Sequence, residues 1–274
     1  MQLPAAHLHP DVILVLGTVW GAYLWAWKAR GRSIPTDMDL DRRKLITRFS
    51  LGMLVLFVAS NWPMHDLAET RLYSFHMIQH MAYQLVAAPL LVLGVPAWMW
   101  RSILRPAWLM SLWKKVTRPV AAFAIFNLVL LVTHWPAVVE LSVNNELFHF
   151  ALHAVVVGSA VIMWWPILSP LPEAPPIAPP LQMMYLFLQS LAPTIPASFL
   201  TFGEQPLYKV YTTFPRIWGV SALSDMRVAG LIMKVAGGLI LWTYITVIFF
   251  RWYFDEQKRE GLDGAPVGDA LKAT

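Results

Sequence analysis

The chain has 274 residues, of which 57% are hydrophobic and 14% charged, and its formal net charge is +5. A soluble domain carries about 25% charged residues, so this composition excludes an ordinary soluble protein and predicts a polytopic membrane protein. The chain contains no cysteine, which excludes disulfides and thiolate metal sites. The positive charge does not predict binding to nucleic acid, because the basic residues cluster beside the apolar segments.

Seven apolar segments are long enough to cross a bilayer as helices. They are called spans one to seven and are predicted at about 11–27, 45–62, 72–94, 119–135, 146–167, 181–202 and 226–252. Residues 1–253 are therefore predicted to form an all-α bundle of seven transmembrane helices, followed by a polar cytoplasmic tail at 254–274. Between spans three and four, residues 97–118 combine tryptophans with basic residues, which predicts a helix lying on the cytoplasmic face.

The basic residues predict the orientation of the chain. A basic cluster directly follows span one, which places the N-terminus outside and the C-terminus in the cytoplasm. The loops predicted to lie inside, counted together with their flanking residues, contain sixteen Lys and Arg. Those predicted outside contain four, namely Arg71, Lys209, Arg216 and Arg227.

Local features predict where two helices begin or break. Asp66 followed by Glu69 resembles a capping arrangement that starts the span three helix before the membrane. In span six, Pro193 and Pro196 predict a broken helix with freed backbone carbonyls.

Spans three and five each carry a pair of histidines four residues apart. The pairs are His76 with His80 and His149 with His153, and this spacing puts both members on one helix face. Lipid cannot satisfy such groups, so they must face the bundle interior, a cavity or a metal. The predicted topology places all eight histidines of the chain on the outer side or in the outer half of the bilayer. We therefore predict that the two pairs converge on one site.

Neutral imidazole is the commonest metal ligand, so this site is predicted to bind copper, as Cu(I) or Cu(II), with zinc as a substitute. Gln79 stands where a zinc peptidase helix would carry its catalytic glutamate, so we expect no enzymatic activity. Axial ligation of haem is an alternative, although one histidine per helix would suffice for each haem. Further candidates for ligands or supporting residues are His65, His134, Met77, Met233, Glu69, Asn145, Glu146, Asp225 and Lys234.

The chain resembles the CtaG family of cytochrome c oxidase assembly factors, the Bacillus-type membrane proteins. The resemblance rests on the segment 74–81, SFHMIQHM, and continues through 88–90 (APL) and 94–96 (GVP). Further along, Glu146 to His153, Trp164-Trp165-Pro166, Asp225 and the segment 229–233 (AGLIM) also match. One departure is Lys234, where the family pattern has an aromatic residue.

The resemblance implies a seven-helix assembly factor of the bacterial cell membrane that helps copper reach the oxidase. The matching metal positions would be His76, His80 and His153, together with His149. Expected partners are cytochrome c oxidase subunits or a periplasmic copper donor, in addition to the lipid bilayer. The alternatives are a copper transporter or importer and a haem-binding oxidoreductase subunit.

The predicted topology is testable with reporter fusions. A reporter fused to the C-terminal tail is expected in the cytoplasm, and one in the loop near Gln205 is expected outside, because the basic residues favour that orientation. An enzyme that is active only in the periplasm and a protein that fluoresces only in the cytoplasm report on which side of the membrane each fusion lies. Finding both fusions on the same side would contradict seven spans.

Overall fold

A computed structural model describes residues 9–30 and 39–263. Helices make up the regular structure of these residues, which contain no β-strand. Five helices are long and apolar enough to cross a membrane: Pro10–Arg30, Tyr73–Gly94, Glu146–Leu168, Pro179–Phe202 and Ala222–Arg259. The chain is thus an all-helical, multi-pass membrane protein.

Two bent helix pairs raise the number of candidate spans to seven. Asp41–Ala59 and Met64–Thr70 meet at 42°, and Ala107–Val116 and Pro119–Thr133 meet at 79°. The helix Pro119–Thr133 alone has 15 residues, about 22 Å at 1.5 Å per residue, which is shorter than the hydrocarbon core. Predicted span four is therefore too short to cross the bilayer by itself, whereas the helix of span two, Asp39–Ala59, has 21 residues but is apolar enough only together with Met64–Thr70.

The remaining helices are short and connect the long ones. Ala97–Ile103 and Ala107–Val116 lie in the region predicted to form an interfacial helix. Pro136–Asn144 joins spans four and five, and a 3₁₀ turn at Lys209–Thr212 lies between spans six and seven.

Spans three and seven each contain a π-helical turn. The turns are Ala82–Ala87 in span three and Ile232–Ala236 in span seven. Such turns widen the helix locally and are frequent near functional sites. In span three the turn directly follows the helix Tyr73–Met81, which carries His76 and His80.

Span three is the centre of the bundle. In its most apolar stretch 61% of the residues are buried, against at most 39% in the other four long helices. Span two packs along its second half, span five packs beside it, and span seven packs against its first helix. The histidine-bearing helix is therefore held on several sides.

Several predicted boundaries agree with the structure, and some differ. Span six is broken as the prolines predict, with helices at Pro179–Leu191 and Thr194–Phe202. The last helix extends to Asp263, beyond the predicted end at 252, while residues 264–274 of the predicted tail lie outside the described residues.

The predicted capping role of Asp66 is wrong. Met64–Thr70 forms a separate helix whose N-cap is Pro63, without a side-chain cap, and the span three helix begins anew at Tyr73. The two helices are therefore distinct elements.

Gly94 permits the close approach of spans two and three. A Cβ atom at this position would lie 2.5 Å from the backbone nitrogen of Phe49. Gly94→Ala is expected to destabilise the protein by about 1–3 kcal/mol, because the backbone must move apart to relieve the overlap. Thermal unfolding of the purified protein in detergent measures the loss.

The matched control for this substitution is Gly158→Ala, where no atom lies within 4 Å of the added Cβ. This variant is expected to be neutral or slightly stabilising, because alanine favours a helix over glycine. Equal melting temperatures for the two variants would contradict a packing role for Gly94.

Candidate metal centre

The helix that carries His76 and His80 is capped by a residue from span seven. The carboxylate of Asp225 accepts hydrogen bonds from the backbone N–H of Tyr73, at 2.6 Å, and of Ser74, at 3.1 Å. The first N–H groups of a helix have no partner within the helix, and a carboxylate also interacts favourably with the positive end of the helix dipole. Asp225, which is 1% exposed, therefore fixes where this helix starts and how its histidines are placed.

The two histidine pairs face each other across spans three and five. Ring centroids are 4.2 Å apart within the pair His76 and His80, and 4.1 Å apart within the pair His149 and His153. Between the pairs, His153 lies 5.5 Å from His80 and 6.0 Å from His76. The convergence expected from the four-residue spacing is therefore present at one level of the bundle.

The nitrogen atoms form two groups rather than one group of four. One group is His65, His149 and His153, and the other is His76, His80 and His153. Within each group the candidate ligand atoms all lie within 4.8 Å of one another. We call the first group the cavity triad and the second the core triad. His153 belongs to both.

The core triad contains buried nitrogen atoms without partners. His76 Nδ1, both ring nitrogens of His80 and His153 Nε2 have no hydrogen-bond partner among the described residues. Leaving a buried polar group unpaired costs about 1–3 kcal/mol. The lone pair of a neutral imidazole is also the group that binds a transition metal. The donor set and its missing hydrogen bonds therefore fit a copper or zinc ion.

The cavity triad, in contrast, is held by polar neighbours. Glu69 Oε1 lies 3.2 Å from His65 Nε2 and 2.5 Å from His149 Nε2, the latter a close contact without the alignment of a hydrogen bond. The other ring nitrogens also have partners: Gln79 Nε2 lies 3.0 Å from His65 Nδ1, and Ser142 Oγ lies 2.9 Å from His149 Nδ1. These contacts fix the orientation of both rings.

The two triads border cavities of very different size. A cavity of about 760 Å³ is lined by the cavity triad, by Glu69, by the exposed residues Asp11 and Glu146, and by apolar residues of spans one, two and five. A cavity of about 20 Å³ is lined by the core triad together with Tyr211 and residues of spans four and five. The larger space reaches the surface, whereas the smaller one has room for about one ion or water.

Two tyrosines of the loop between spans six and seven cover the histidines. The hydroxyl of Tyr208 donates to the carbonyl of His134 at 2.9 Å, and that of Tyr211 donates to the carbonyl of Ala68 at 3.1 Å. Burial raises the pKa of Tyr208 to about 12, so this hydroxyl stays protonated and can donate. The loop is thereby anchored over the core triad.

The other predicted candidates lie around the two triads. His134 has its ring 6.1 Å from that of His80 and donates through Nδ1 to the carbonyl of Leu130 at 2.7 Å, but it belongs to neither triad. Asn145 caps span five by accepting a hydrogen bond from the N–H of Phe148. Met77 and Met233 are buried in the hydrophobic core.

Lys234 does not form the ion pair with a carboxylate that its depth in span seven suggests. Its Nζ lies 2.6 Å from Thr194 Oγ1 and 3.3 Å from the carbonyl of Ser190. Both partners lie at the break of span six, where prolines leave carbonyls without helical partners. Among the described residues, no carboxylate lies within ion-pair distance of this ammonium group.

Two residues near the site could not be assigned a role from the sequence. Gln79, which is fully buried, contacts His65 and also bonds to Tyr83 and the carbonyl of Ala59. His9 lies 3.2 Å from Asp66 and stacks edge-on against His65 at 4.6 Å. Contacts between ring centroids, at 4.1–6.2 Å, connect all seven described histidines into one cluster. His7 lies outside the described residues.

The fold and the site define a class of protein: a multi-pass helical membrane protein with a buried cluster of histidines. A family model described as cytochrome c oxidase caa3 assembly factor, Caa3_CtaG, matches residues 21–255. The chain therefore belongs to this family, as its resemblance in the histidine segments indicates. No curated protein and no solved structure shows significant similarity to the chain.

The cap formed by Asp225 is testable by substitution. Asp225→Ala is expected to destabilise the protein by about 1–3 kcal/mol for each N–H left unpaired, because both amides are buried. Asp225→Asn keeps one acceptor oxygen and should lose less. Thermal unfolding in detergent ranks the variants. An alanine variant as stable as the wild type would show that the start of this helix does not depend on Asp225.

Proposed function

We propose that this protein binds copper in its histidine cluster and supports insertion of the metal into cytochrome c oxidase. The observation that carries the proposal is the set of buried, unpartnered nitrogens on His76, His80 and His153. In a bilayer these groups cannot turn to water, so a metal ion is the partner that their chemistry fits best. The family to which the chain belongs associates it with assembly of the oxidase.

The ligand chemistry favours copper over other metals. Imidazole nitrogens suit copper and zinc, and for a given nitrogen site copper binds more strongly in the general order of affinities. The chain has no cysteine, so the histidines are the strongest donors for such an ion. Zinc is expected to bind the same triads as a substitute.

The proposed site lies in the outer half of the membrane and serves a non-enzymatic factor. This position follows from the predicted topology, in which spans three and five both start outside. The copper would therefore be held on the side where a periplasmic donor or the copper-accepting part of an oxidase subunit can reach it. The membrane is proposed to be the bacterial cell membrane.

Packing beneath the histidines supports holding the ion rather than conducting it. The polar groups below His80 already have partners: the hydroxyl of Tyr83 bonds to Ser60 and Gln79, and the carbonyl of Gln84 accepts from the indole of Trp164. Deeper in the bundle, Asn127 and Gln189 bond to each other. Among the described residues, these bonded groups therefore do not form a continuous row of free polar side chains along which a cation would move.

The central test is a double substitution of the core triad. Protein purified without chelator is expected to contain copper by elemental analysis, and the variant His76→Ala/His80→Ala should lose it, because the ion loses two of its three ligands. Cells with this variant should also assemble less active cytochrome c oxidase, while the protein still inserts into the membrane.

His134→Ala is the matched control, because His134 is buried and lies beside His80 but is not in either triad. This variant is expected to keep its copper. A double variant that copurifies with as much copper as the wild type would refute the proposed site.

A further inference from the structure

We infer that the cluster offers one copper ion two alternative positions, and that the ion passes from the cavity triad to the core triad while His153 remains bound. This inference deepens the proposed function and rests on it, since it takes copper as the cargo. It is carried by the shared histidine, by the different hydrogen bonding of the two triads and by the cavities beside them.

The shared residue makes a direct transfer geometrically feasible. The donors of each triad lie within 4.8 Å of one another, whereas two nitrogens bound to one ion at about 2.0–2.1 Å can be at most about 4.2 Å apart. Each triad therefore closes around an ion by small ring rotations. His153 can take part in either closure because it lines both cavities.

The hydrogen bonding gives the transfer a direction. Glu69, Gln79 and Ser142 lie against the ring nitrogens of His65 and His149, so an ion in the cavity triad must displace at least one of them, although His149 Nε2 makes no aligned hydrogen bond. An ion in the core triad displaces nothing from the nitrogens of His80. Competition weakens binding at the first position, and the absence of competing partners strengthens it at the second.

The cavities give the two triads different access. The larger cavity has the carboxylates of Asp11, Glu69 and Glu146 along its walls and no Lys or Arg among its described lining residues. Negative charge in a partly apolar cleft raises the local concentration of cations. The core triad is less accessible: His80 is 3% exposed and Tyr211 beside it is 1% exposed, while the partly buried His153 also borders the larger cavity.

The transfer is a ligand exchange without electron transfer. The bonds from the ion to His65 and His149 break, those to His76 and His80 form, and the bond to His153 is kept. The oxidation state of the copper is unchanged, because breaking and forming metal–nitrogen bonds transfers no electron to or from the ion. Glu69 and Ser142 then return to their contacts with His149, so no further reactant is needed.

The experiment compares variants of the two triads in the purified full-length protein. Each triad provides two independent glutamine variants, His65→Gln and His149→Gln for the cavity triad and His76→Gln and His80→Gln for the core triad. Cu(I) is supplied anaerobically as its acetonitrile complex. The rate of loading and the rate of extraction by bathocuproine disulfonate, followed by absorbance, are measured for each protein.

Opposite effects are expected from the two sets of variants. Cavity-triad variants should load at least about tenfold more slowly than the wild type yet release copper no faster, whereas core-triad variants should load normally and release at least about tenfold faster. General damage to the fold would change both sets alike. His153→Gln should combine slow loading with fast release.

Two results would overturn the inference. If both cavity-triad variants load copper at the wild-type rate, the cavity triad is not a binding position on the path. If all four variants change the release rate in the same way, the cluster is a single site. Either result leaves the proposed function intact, provided that the wild type binds copper. A wild-type protein that binds neither copper nor zinc would refute the proposed function itself, and the transfer with it.

Discussion

The interior of a bilayer offers no water, so every polar group placed there needs a partner within the protein. This constraint explains most of the polar contacts inside the bundle, from the pair Asn127 and Gln189 to the contacts of Lys234 with the broken span six. Other buried polar atoms of the described residues, such as several indole nitrogens, also lack a partner, but in the core triad four unpaired imidazole nitrogens lie together. A group of this kind is expected where the missing partner is a ligand, because unpaired polar groups are costly and need a compensating role.

Much of the fold follows from local sequence patterns. Apolar length and the flanking basic residues predict the spans, and the prolines at 193 and 196 predict the break in span six. Spans two and four each adjoin a bend between two helices, of 42° and 79°, that the sequence did not predict. Such bends depend on packing between distant segments, which a local pattern does not encode.

The site shows the same division between local and long-range information. The four-residue spacing predicts the two pairs because it depends on helix periodicity alone. The cap of the span three helix was misassigned to Asp66, because the actual cap, Asp225, is 152 residues away from Tyr73 in the chain. The grouping of His149 with His65 rather than with His76 and His80 likewise depends on where the bent helix Met64–Thr70 places His65.

The contrast between the triads has a consequence for a protein that must release its metal. A site with buried, unpaired nitrogens would bind an ion tightly and release it slowly, because differences in affinity appear mostly in the dissociation rate. A neighbouring site whose ligands have polar partners lowers that barrier, because Glu69 can replace the departing ion at His65 and His149. Two adjacent triads that share His153 would therefore allow one protein both to retain a copper ion and to exchange it. In the proposed transfer, the carboxylate that competes with the metal at the cavity triad would therefore also favour its release from the protein.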